Sequence, residues 1–277
     1  MISIQKCFVT FVLLINIYDK TDSSTLNKKN ILFLASDDMR PALGCYADTH
    51  PGFDAPPMYT PNFDALADRS ILLERAYVQQ AVCSPSRTSL LTGRRPDTTR
   101  ITDLHHYFRY VGSNFTTIPQ YFKENGYYSI GAGKIFHTQQ DATPNYDYPF
   151  SWSEPFYCAK NPWSGNNYSW RALTPEEYNT YPPQDASNES MGIPDLGLVN
   201  VTYPDYKVIE LRRAYYSAIS YVDYLVGKIL DELTNLGLDE STIVSFWGDH
   251  GWQLGEHTEW CKHTNFEVEA NISYSLR

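Results

Sequence analysis

Two kinds of hydrophobic pattern alternate along this chain. Short, continuously apolar runs have the length and composition of strands that are buried on both faces. They lie at 30–36, 71–78, 127–132 and 241–247. Helices are predicted between the strands by capping residues at 62–69 and 116–125, and by apolar residues at every third or fourth position over 205–235. This alternation predicts an α/β fold with a mostly parallel central sheet sandwiched by helices.

The N-terminus differs from the rest of the chain. An apolar run at 7–18 follows Lys6, and it is shorter than the roughly 20 residues that a membrane-spanning helix needs. It is typical of a secretory signal, so residues 1–25 are predicted to be a signal peptide; the alternative is a buried N-terminal strand. Five glycosylation sequons support a secreted or lysosomal protein without a transmembrane segment. They begin at Asn114, Asn167, Asn188, Asn200 and Asn271.

Composition narrows the class of protein. The chain has 277 residues and a net charge of −10, which argues against a general nucleic-acid binder. An aromatic content of 15% argues against a disordered chain, and five cysteines without a CxxC pair are too few for a disulfide scaffold or a zinc knuckle. Residues 139–204 are rich in Pro, Asn, Ser, Tyr and Trp, which predicts a long irregular segment.

Acidic residues follow two of the predicted strands. Asp37 and Asp38 come directly after the run at 30–36, and Asp249 and His250 come after the run at 241–247. Adjacent carboxylates repel each other, and a divalent cation at the carboxyl ends of the strands would relieve that repulsion. Carboxylate oxygens favour Ca²⁺ or Mg²⁺, while the imidazole would also tolerate Zn²⁺ or Mn²⁺. The alternative is a pair of structural turns or helix caps.

A third motif connects these acids to a reaction. The chain reads Cys-Ser-Pro-Ser-Arg at 83–87 and Thr-Gly-Arg at 92–94. This resembles the signature of the sulfatase family, C-x-P-x-R followed by T-G-R. The resemblance implies that residues 29–277 form part of a sulfatase N-terminal catalytic domain with an alkaline-phosphatase-like fold. It also implies that a formylglycine-generating enzyme oxidises Cys83 to formylglycine, whose hydrate attacks the sulfur of a sulfate ester.

The resemblance also implies a role for each candidate residue. Ca²⁺ would be held by Asp37, Asp38, Cys83, Asp249 and His250. Arg87 would neutralise the nucleophile, because a guanidinium is always charged at working pH. The sulfate and the nucleophile would be contacted by Lys134, His137 and Lys262, and the substrates would be sulfated glycosaminoglycan fragments. Without the resemblance, these two lysines would be interpreted as solvated charges and His137 as a helix or turn residue.

The chain also departs from the family pattern. The family carries a further strand and a leaving-group histidine in its middle, whereas this sequence has no histidine between His137 and His250. The segment 139–204 is too short for that region, and the chain stops at Arg277. We therefore expect a chain that is incomplete relative to the family. A non-catalytic chain that binds calcium and sulfated sugar stays open as an alternative. A phosphoryl-transfer relative is less favoured, because it would carry Ser or Thr at position 83 and a two-metal cluster.

Overall fold

A six-stranded mixed sheet forms the centre of the molecule. The computed structural model describes residues 9–16, 28–47, 56–137, 141–157 and 203–277. The strands are β1 Val9–Asn16, β2 Asn30–Ser36, β3 Ile71–Leu72, β4 Ala76–Tyr77, β5 Tyr127–Ala132, β6 Thr242–Gly248, β7 Gln253–Leu254, β8 Trp260–Cys261, β9 Asn271–Ile272 and β10 Tyr274–Leu276. The helices are α1 Pro61–Ala67, α2 Cys83–Thr92, α3 Pro96–Thr99, α4 Phe108–Val111, α5 Ile118–Glu124, α6 Asp205–Asn235 and α7 Glu267–Ala270. These elements confirm the predicted α/β class.

The order of strands in the sheet is β3-β10-β6-β2-β1-β5. The central pair, β2 and β6, is parallel, while β1 and β10 run antiparallel to their neighbours. Four of the six described strands, β2, β3, β5 and β6, therefore point the same way. Two smaller antiparallel pairs, β4 with β9 and β7 with β8, lie outside this sheet.

The predicted strand at 71–78 forms two short strands instead of one. Glu74 and Arg75 lie in a turn between β3 and β4. β3 then pairs with β10 in the main sheet, whereas β4 pairs with β9. The polar pair interrupts the apolar run because its side chains reach solvent at the turn.

The N-terminal apolar run takes part in the sheet. β1 lies antiparallel between β2 and β5, with Leu14 opposite Ile31 on one side and opposite Ser129 on the other. The structure therefore shows the alternative interpretation of this run, a strand, while removal of residues 1–25 as a signal peptide stays a prediction. The two interpretations exclude each other in one mature chain, because cleavage after residue 25 would remove β1.

The described sequons differ in exposure. Asn114 is exposed, but Asn271 is only 1% exposed in β9, which makes it a poor glycosylation site in the folded protein. The sequons at Asn167, Asn188 and Asn200 lie outside the described residues. So does most of the predicted irregular segment, although its described part, 141–157, packs the fully buried Trp152 against the sheet.

Two hydrophobic cores cover the two faces of the sheet. Leu32 and Leu34 of β2 pack on α6 on one face, and Ala35 packs on the other face beside residues from α2, α4 and 135–152. This division follows from the alternation of side chains along a strand. The apolar stripe of α6 supplies most of the first core. Its buried members include Leu211, Tyr215, Ile219, Val222, Val226, Leu230 and Leu233.

A buried carboxylate joins α6 to α1. Asp223 accepts hydrogen bonds from the backbone N–H groups of Asn62 at 3.3 Å and Phe63 at 2.7 Å, so it caps the N-terminus of α1. Gly227 permits this contact, because a Cβ there would lie 2.5 Å from the Asn62 side chain. Among the described helices, none is both long enough and apolar enough to cross a lipid bilayer.

Candidate active site

The two acidic pairs meet because β2 and β6 are parallel neighbours. Ser36 lies opposite Gly248 in the strand register, so the residues that follow both strands emerge at the same edge of the sheet. The backbone N–H of Asp38 donates to Oδ1 of Asp249 at 2.8 Å. Asp38 has a left-handed backbone with φ of 57°, which turns the chain sharply at the end of β2. Asp37, Asp38, Asp249 and His250 are all buried.

Cys83 is the first residue of α2 and its thiol points into this cluster. It is fully buried. Because Cys83 is at the N-terminus of the ten-residue helix α2, the helix dipole favours a negative charge at this position. Nitrogen atoms surround the sulfur on three sides. The distances from Sγ are 3.0 Å to Lys262 Nζ, 3.3 Å to Lys134 Nζ, 3.3 Å to His250 Nε2 and 3.8 Å to Asp37 Oδ1. The thiol that the sequence motif predicts as the nucleophile therefore lies at the centre of the cluster.

Arg87 lies one helical turn after Cys83, on the same face of α2. Its Nη2 lies 2.9 Å from Asp37 Oδ1, and its Nε donates to Asp249 Oδ2 at 2.8 Å. Nη1 also donates to the carbonyl oxygens of Lys134 and Ile135. With 1% exposure and partners on two strands, this guanidinium is held in one orientation.

The two lysines reach the sulfur from different parts of the chain. Lys134 follows β5 and donates to both carboxylate oxygens of Asp37, at 2.8 and 2.9 Å. Lys262 follows β8 and donates to Asp38 Oδ1 at 2.9 Å. The three carboxylates near Cys83 are thus each paired with at least one of the three cations Arg87, Lys134 and Lys262, which compensates their buried charge.

These charges change the acidity of the thiol. Burial raises the pKa of Cys83, but the ammonium groups of Lys134 and Lys262 and the His250 ring outweigh it and bring the pKa down to about 6. This lowered pKa favours the thiolate form of the sulfur in the unmodified chain. The same environment stabilises any anion that occupies this position, which is what a sulfate-ester reaction needs.

The pKa values of the acids and of the imidazole are shifted in different directions. Burial raises the pKa of Asp249 to about 7, even though Arg87 opposes the shift. Burial lowers the pKa of His250, but the neighbouring Asp249 carboxylate outweighs it and raises the value to about 9. For Asp37, burial is outweighed by Lys134 and Arg87, so its pKa lies well below the usual range.

The donor atoms fit a hard divalent cation. Oxygen, sulfur and nitrogen atoms of Asp38, Cys83 and His250 lie within 4.8 Å of one another, and the same holds for Asp37, Cys83 and Asp249. His250 Nδ1 lies 3.0 Å from the Gly251 carbonyl oxygen, which can only accept, so Nδ1 carries a proton and Nε2 faces the cluster. Three buried carboxylates and one oriented imidazole could therefore hold a divalent metal ion.

Supporting residues were missed by the sequence analysis. The hydroxyl of Tyr215 donates to the Asp38 carbonyl at 2.7 Å and accepts from the Arg40 backbone N–H at 3.0 Å. The side chain of Arg40, fully buried, contacts Glu256 Oε1 at 2.8 Å. Tyr215 belongs to the apolar stripe of α6, so its periodicity indicated only core packing. Arg40 lies two residues after Asp38 and belongs to no motif.

His137, the remaining predicted site residue, lies three residues after Lys134. Its side chain is buried, at 5% exposure. Seven other predicted residues converge, directly or through one contact, on the predicted nucleophile Cys83. A catalytic role for His137 stays a prediction.

Comparison with known proteins agrees with this geometry. The sulfatase family model matches residues 29–176 and 168–272. The chain belongs to the sulfatase family. It is 33% identical to iduronate 2-sulfatase of Mus musculus over 338 aligned residues, which cover 92% of this chain and 60% of the relative. The chain thus spans about three fifths of the length of that sulfatase.

Solved structures of the same fold include more than one chemistry. A structure described as bound to its substrate D-glucosamine-2-N,6-O-disulfate matches with a TM-score of 0.57 and 16% identity, over 90% of this chain and 71% of that one. A phosphonate monoester hydrolase of Agrobacterium radiobacter matches with a TM-score of 0.56 and 16% identity, over 87% and 66%. At these identities the likeness confirms the alkaline-phosphatase-like fold, and the chemistry must be argued from the site.

Proposed function

We propose that this sulfatase hydrolyses sulfate esters of iduronate in glycosaminoglycan fragments, using Cys83 after its conversion to formylglycine. One observation carries the proposal: Cys83 Sγ lies within 3.3 Å of Lys134 Nζ, Lys262 Nζ and His250 Nε2 in a buried site. The choice of iduronate 2-sulfate rests on the similarity to iduronate 2-sulfatase. Lysosomal or secreted localisation is part of the same proposal.

The side chains of the cluster have different roles in the proposed reaction. Arg87 is fixed by Asp37 and Asp249, so its charge is already in place when a nucleophile at position 83 becomes an anion. The ammonium groups of Lys134 and Lys262 lie 3.3 Å and 3.0 Å from Cys83 Sγ, close enough to contact a sulfate that reacts at this position. Positive charge from two sides neutralises the sulfate and orients it for attack.

In the proposed mechanism, Ca²⁺ would be held by Asp37, Asp38, Asp249, His250 and the residue at 83. It would supply Lewis-acid polarisation of the sulfate and would stabilise negative charge on the nucleophile. Lys134 and Lys262 now donate to the same carboxylates. Occupation of those carboxylate oxygens by a cation would free the two ammonium groups to bind sulfate.

A second candidate function rests on one observation about the sequence. Between His137 and His250 the chain has no histidine that could protonate the leaving alcohol. General acid help of that kind is typically worth about 10²–10⁴-fold. A chain that binds calcium and sulfated sugar, with turnover at least ~100-fold slower than in a complete relative, is the alternative.

The proposal is tested at the nucleophile. The chain is expressed in a secretory host together with the formylglycine-generating enzyme, and the peptide containing Cys83 is analysed by mass spectrometry. Hydrolysis of a fluorogenic iduronate 2-sulfate is then compared between the wild type, Cys83→Ala and the matched control Cys45→Ala, which removes a thiol outside the site.

We expect partial formylglycine at Cys83, and hydrolysis that is lost in Cys83→Ala and kept in Cys45→Ala. Unmodified thiol only, or equal hydrolysis in all three proteins, would refute the proposed function. Binding of the sulfated sugar without hydrolysis in the wild type would support the alternative.

A further inference from the structure

Three donor atoms of different chemical type meet within the active-site cluster. They are Sγ of Cys83, Nε2 of His250 and a carboxylate oxygen of Asp38, and all three lie within 4.8 Å of one another. Nε2 is 3.3 Å from the sulfur and 3.4 Å from Oδ1 of Asp38. The three residues are buried, so their donor atoms face one another rather than bulk water.

These separations match the edges of a tetrahedral zinc site. Zinc binds sulfur at about 2.3 Å, imidazole nitrogen at about 2.0–2.1 Å and carboxylate oxygen at about 2.0–2.2 Å. With tetrahedral angles, those bonds place sulfur about 3.6 Å from nitrogen, and nitrogen about 3.4 Å from oxygen. The observed distances of 3.3 and 3.4 Å lie within about 0.3 Å of these values. Three protein ligands leave the fourth corner of the tetrahedron for water or another ligand.

The chemical type of the donors also favours zinc while residue 83 is a cysteine. Ca²⁺ takes about six to eight oxygen ligands, whereas thiolate and imidazole suit Zn²⁺. The Nδ1 atom of His250 is held by the Gly251 carbonyl at 3.0 Å, a contact that is typical of metal-bound histidines. Conversion of Cys83 to formylglycine would replace the sulfur by oxygen. The site would then offer oxygen donors and one imidazole, which suit a harder cation.

An ammonium group contacts all three donor atoms in the structure. Nζ of Lys262 lies 2.9 Å from Asp38 Oδ1, 3.0 Å from Cys83 Sγ and 3.4 Å from His250 Nε2. The donors therefore already surround a positive charge, at distances longer than metal bonds. A metal ion that binds the same three atoms has to displace this ammonium, because two cations in one place repel each other. Removal of the ammonium should therefore strengthen metal binding.

We propose that Asp38, Cys83 and His250 bind Zn²⁺ while Cys83 is unconverted, and that conversion to formylglycine switches the site to a hard cation such as Ca²⁺. Zinc forms bonds to the sulfur, the imidazole nitrogen and one carboxylate oxygen, and protons displaced from the thiol and the imidazole pass to solvent. No oxidation or reduction accompanies this binding. The zinc site concerns the unconverted chain and does not depend on the proposed function, whereas the switch rests on the conversion that the proposed function requires.

The experiment uses the full chain, expressed in a host without the formylglycine-generating enzyme and checked by mass spectrometry for an unmodified thiol. Zn²⁺ affinity is measured by competition with a chromophoric chelator. Co²⁺ serves as a spectroscopic probe, because a cobalt–thiolate bond gives a charge-transfer band that oxygen and nitrogen ligands do not give. The variants are Cys83→Ser and Lys262→Met. The matched control is Cys45→Ala, whose thiol packs against the first hydrophobic core.

We expect the wild type and Cys45→Ala to bind Zn²⁺ equally and to show the cobalt–thiolate band. Changes around a metal ligand cost about 10–100-fold in affinity, so loss of the thiolate itself in Cys83→Ser should cost at least about 100-fold and abolish the band. Lys262→Met should bind Zn²⁺ at least about fivefold more tightly, since contact between two like charges costs that factor even in bulk water. Chain converted by the enzyme should lose Zn²⁺ affinity in proportion to its formylglycine content.

Equal Zn²⁺ affinity in Cys83→Ser and the wild type would overturn the inference, and so would a cobalt complex without the thiolate band. Weaker binding in Lys262→Met would also count against it, provided that circular dichroism shows the variant to be folded. Unchanged Zn²⁺ affinity in converted chain would refute the switch. Hydrolysis is judged separately: zinc binding at Cys83 without hydrolysis leaves the zinc site standing while the proposed function falls, and hydrolysis without zinc binding does the reverse.

Discussion

Removal of the Arg87 guanidinium should destabilise the fold as well as the reaction. Arg87 is 1% exposed, and its two carboxylate partners, Asp37 and Asp249, are at most 2% exposed. The change Arg87→Leu keeps the apolar stem and removes the charge. Two carboxylates then stay buried with less compensation, and the protein must either hold them charged in a dry environment or protonate them.

The size of the effect follows from this burial. Loss of one partner of a buried ion pair costs about 3–5 kcal/mol in free energy of unfolding. In a domain of this size, about 2–4 °C of melting temperature is lost per kcal/mol, so we expect a decrease of roughly 6–20 °C. The matched control is Arg69→Leu, because Arg69 is 48% exposed and lies 3.6 Å from Asp239. Exposed pairs contribute at most about 1 kcal/mol, and Arg277 still binds Asp239.

The assay is thermal and urea unfolding at pH 7 without calcium, since a bound cation would replace the lost charge. Adding Asp249→Asn to Arg87→Leu should recover part of the stability, because it removes one of the two uncompensated charges. The electrostatic argument is wrong if the free energy of unfolding of Arg87→Leu lies within about 1 kcal/mol of the wild-type value. It is also wrong if adding Asp249→Asn lowers the free energy of unfolding further, because the carboxylates would then not depend on Arg87.

Four further outcomes are expected. Without calcium, the raised pKa values of Asp249 (about 7) and His250 (about 9) give stability that is present at low pH and lost as pH rises through those values, while the lowered pKa of Asp37 gives stability that is lost on strong acidification. From these three groups, melting temperature should therefore be highest near about pH 4 and fall as pH rises toward about 9, and Asp249→Asn should flatten the part of the decline between about pH 4 and 7. Millimolar calcium should raise the melting temperature of the wild type but not of Asp37→Asn, and calorimetry that shows equal shifts would argue against the site. Tyr215→Phe should cost about 1–3 kcal/mol in urea unfolding, because it leaves two buried backbone groups next to the acidic turn unpaired. Deletion of residues 1–25 removes β1, the strand that joins β5 to the sheet, so the deleted chain should lose protection of β5 in hydrogen exchange; unchanged protection would show that β1 is dispensable and would favour a cleaved signal.

Much of the fold could be predicted from local pattern. The runs at 30–36 and 127–132 and the helix at 205–235 coincide with β2, β5 and α6. Continuous burial and a 3.6-residue period are properties of the element itself, so they are visible without knowledge of its partners. The prediction of a single strand at 71–78 was wrong, because the two halves of the run pair with two distant strands, β10 and β9.

The N-terminal run shows the limit of such patterns. An apolar segment of 12 residues suits both a secretory signal and a buried strand, since both need hydrophobic side chains. What separates them is whether a place in the sheet is available, and the structure places 9–16 between β2 and β5. The sequons show the same limit: Asn114 and Asn271 have equal motifs and opposite exposure.

The sequence by itself determined which functional groups the site contains. The spacing of Cys83 and Arg87 on one helix, and the acids directly after two apolar strands, are local features that a motif records. The tertiary structure decided which charged residues from distant parts of the chain lie together around Cys83. Lys134 and Lys262 are 128 positions apart and both reach Cys83, and Tyr215 of α6 fixes the backbone of Asp38. Electrostatic energy depends on distance and burial, and both are set only when the sheet brings separate segments together.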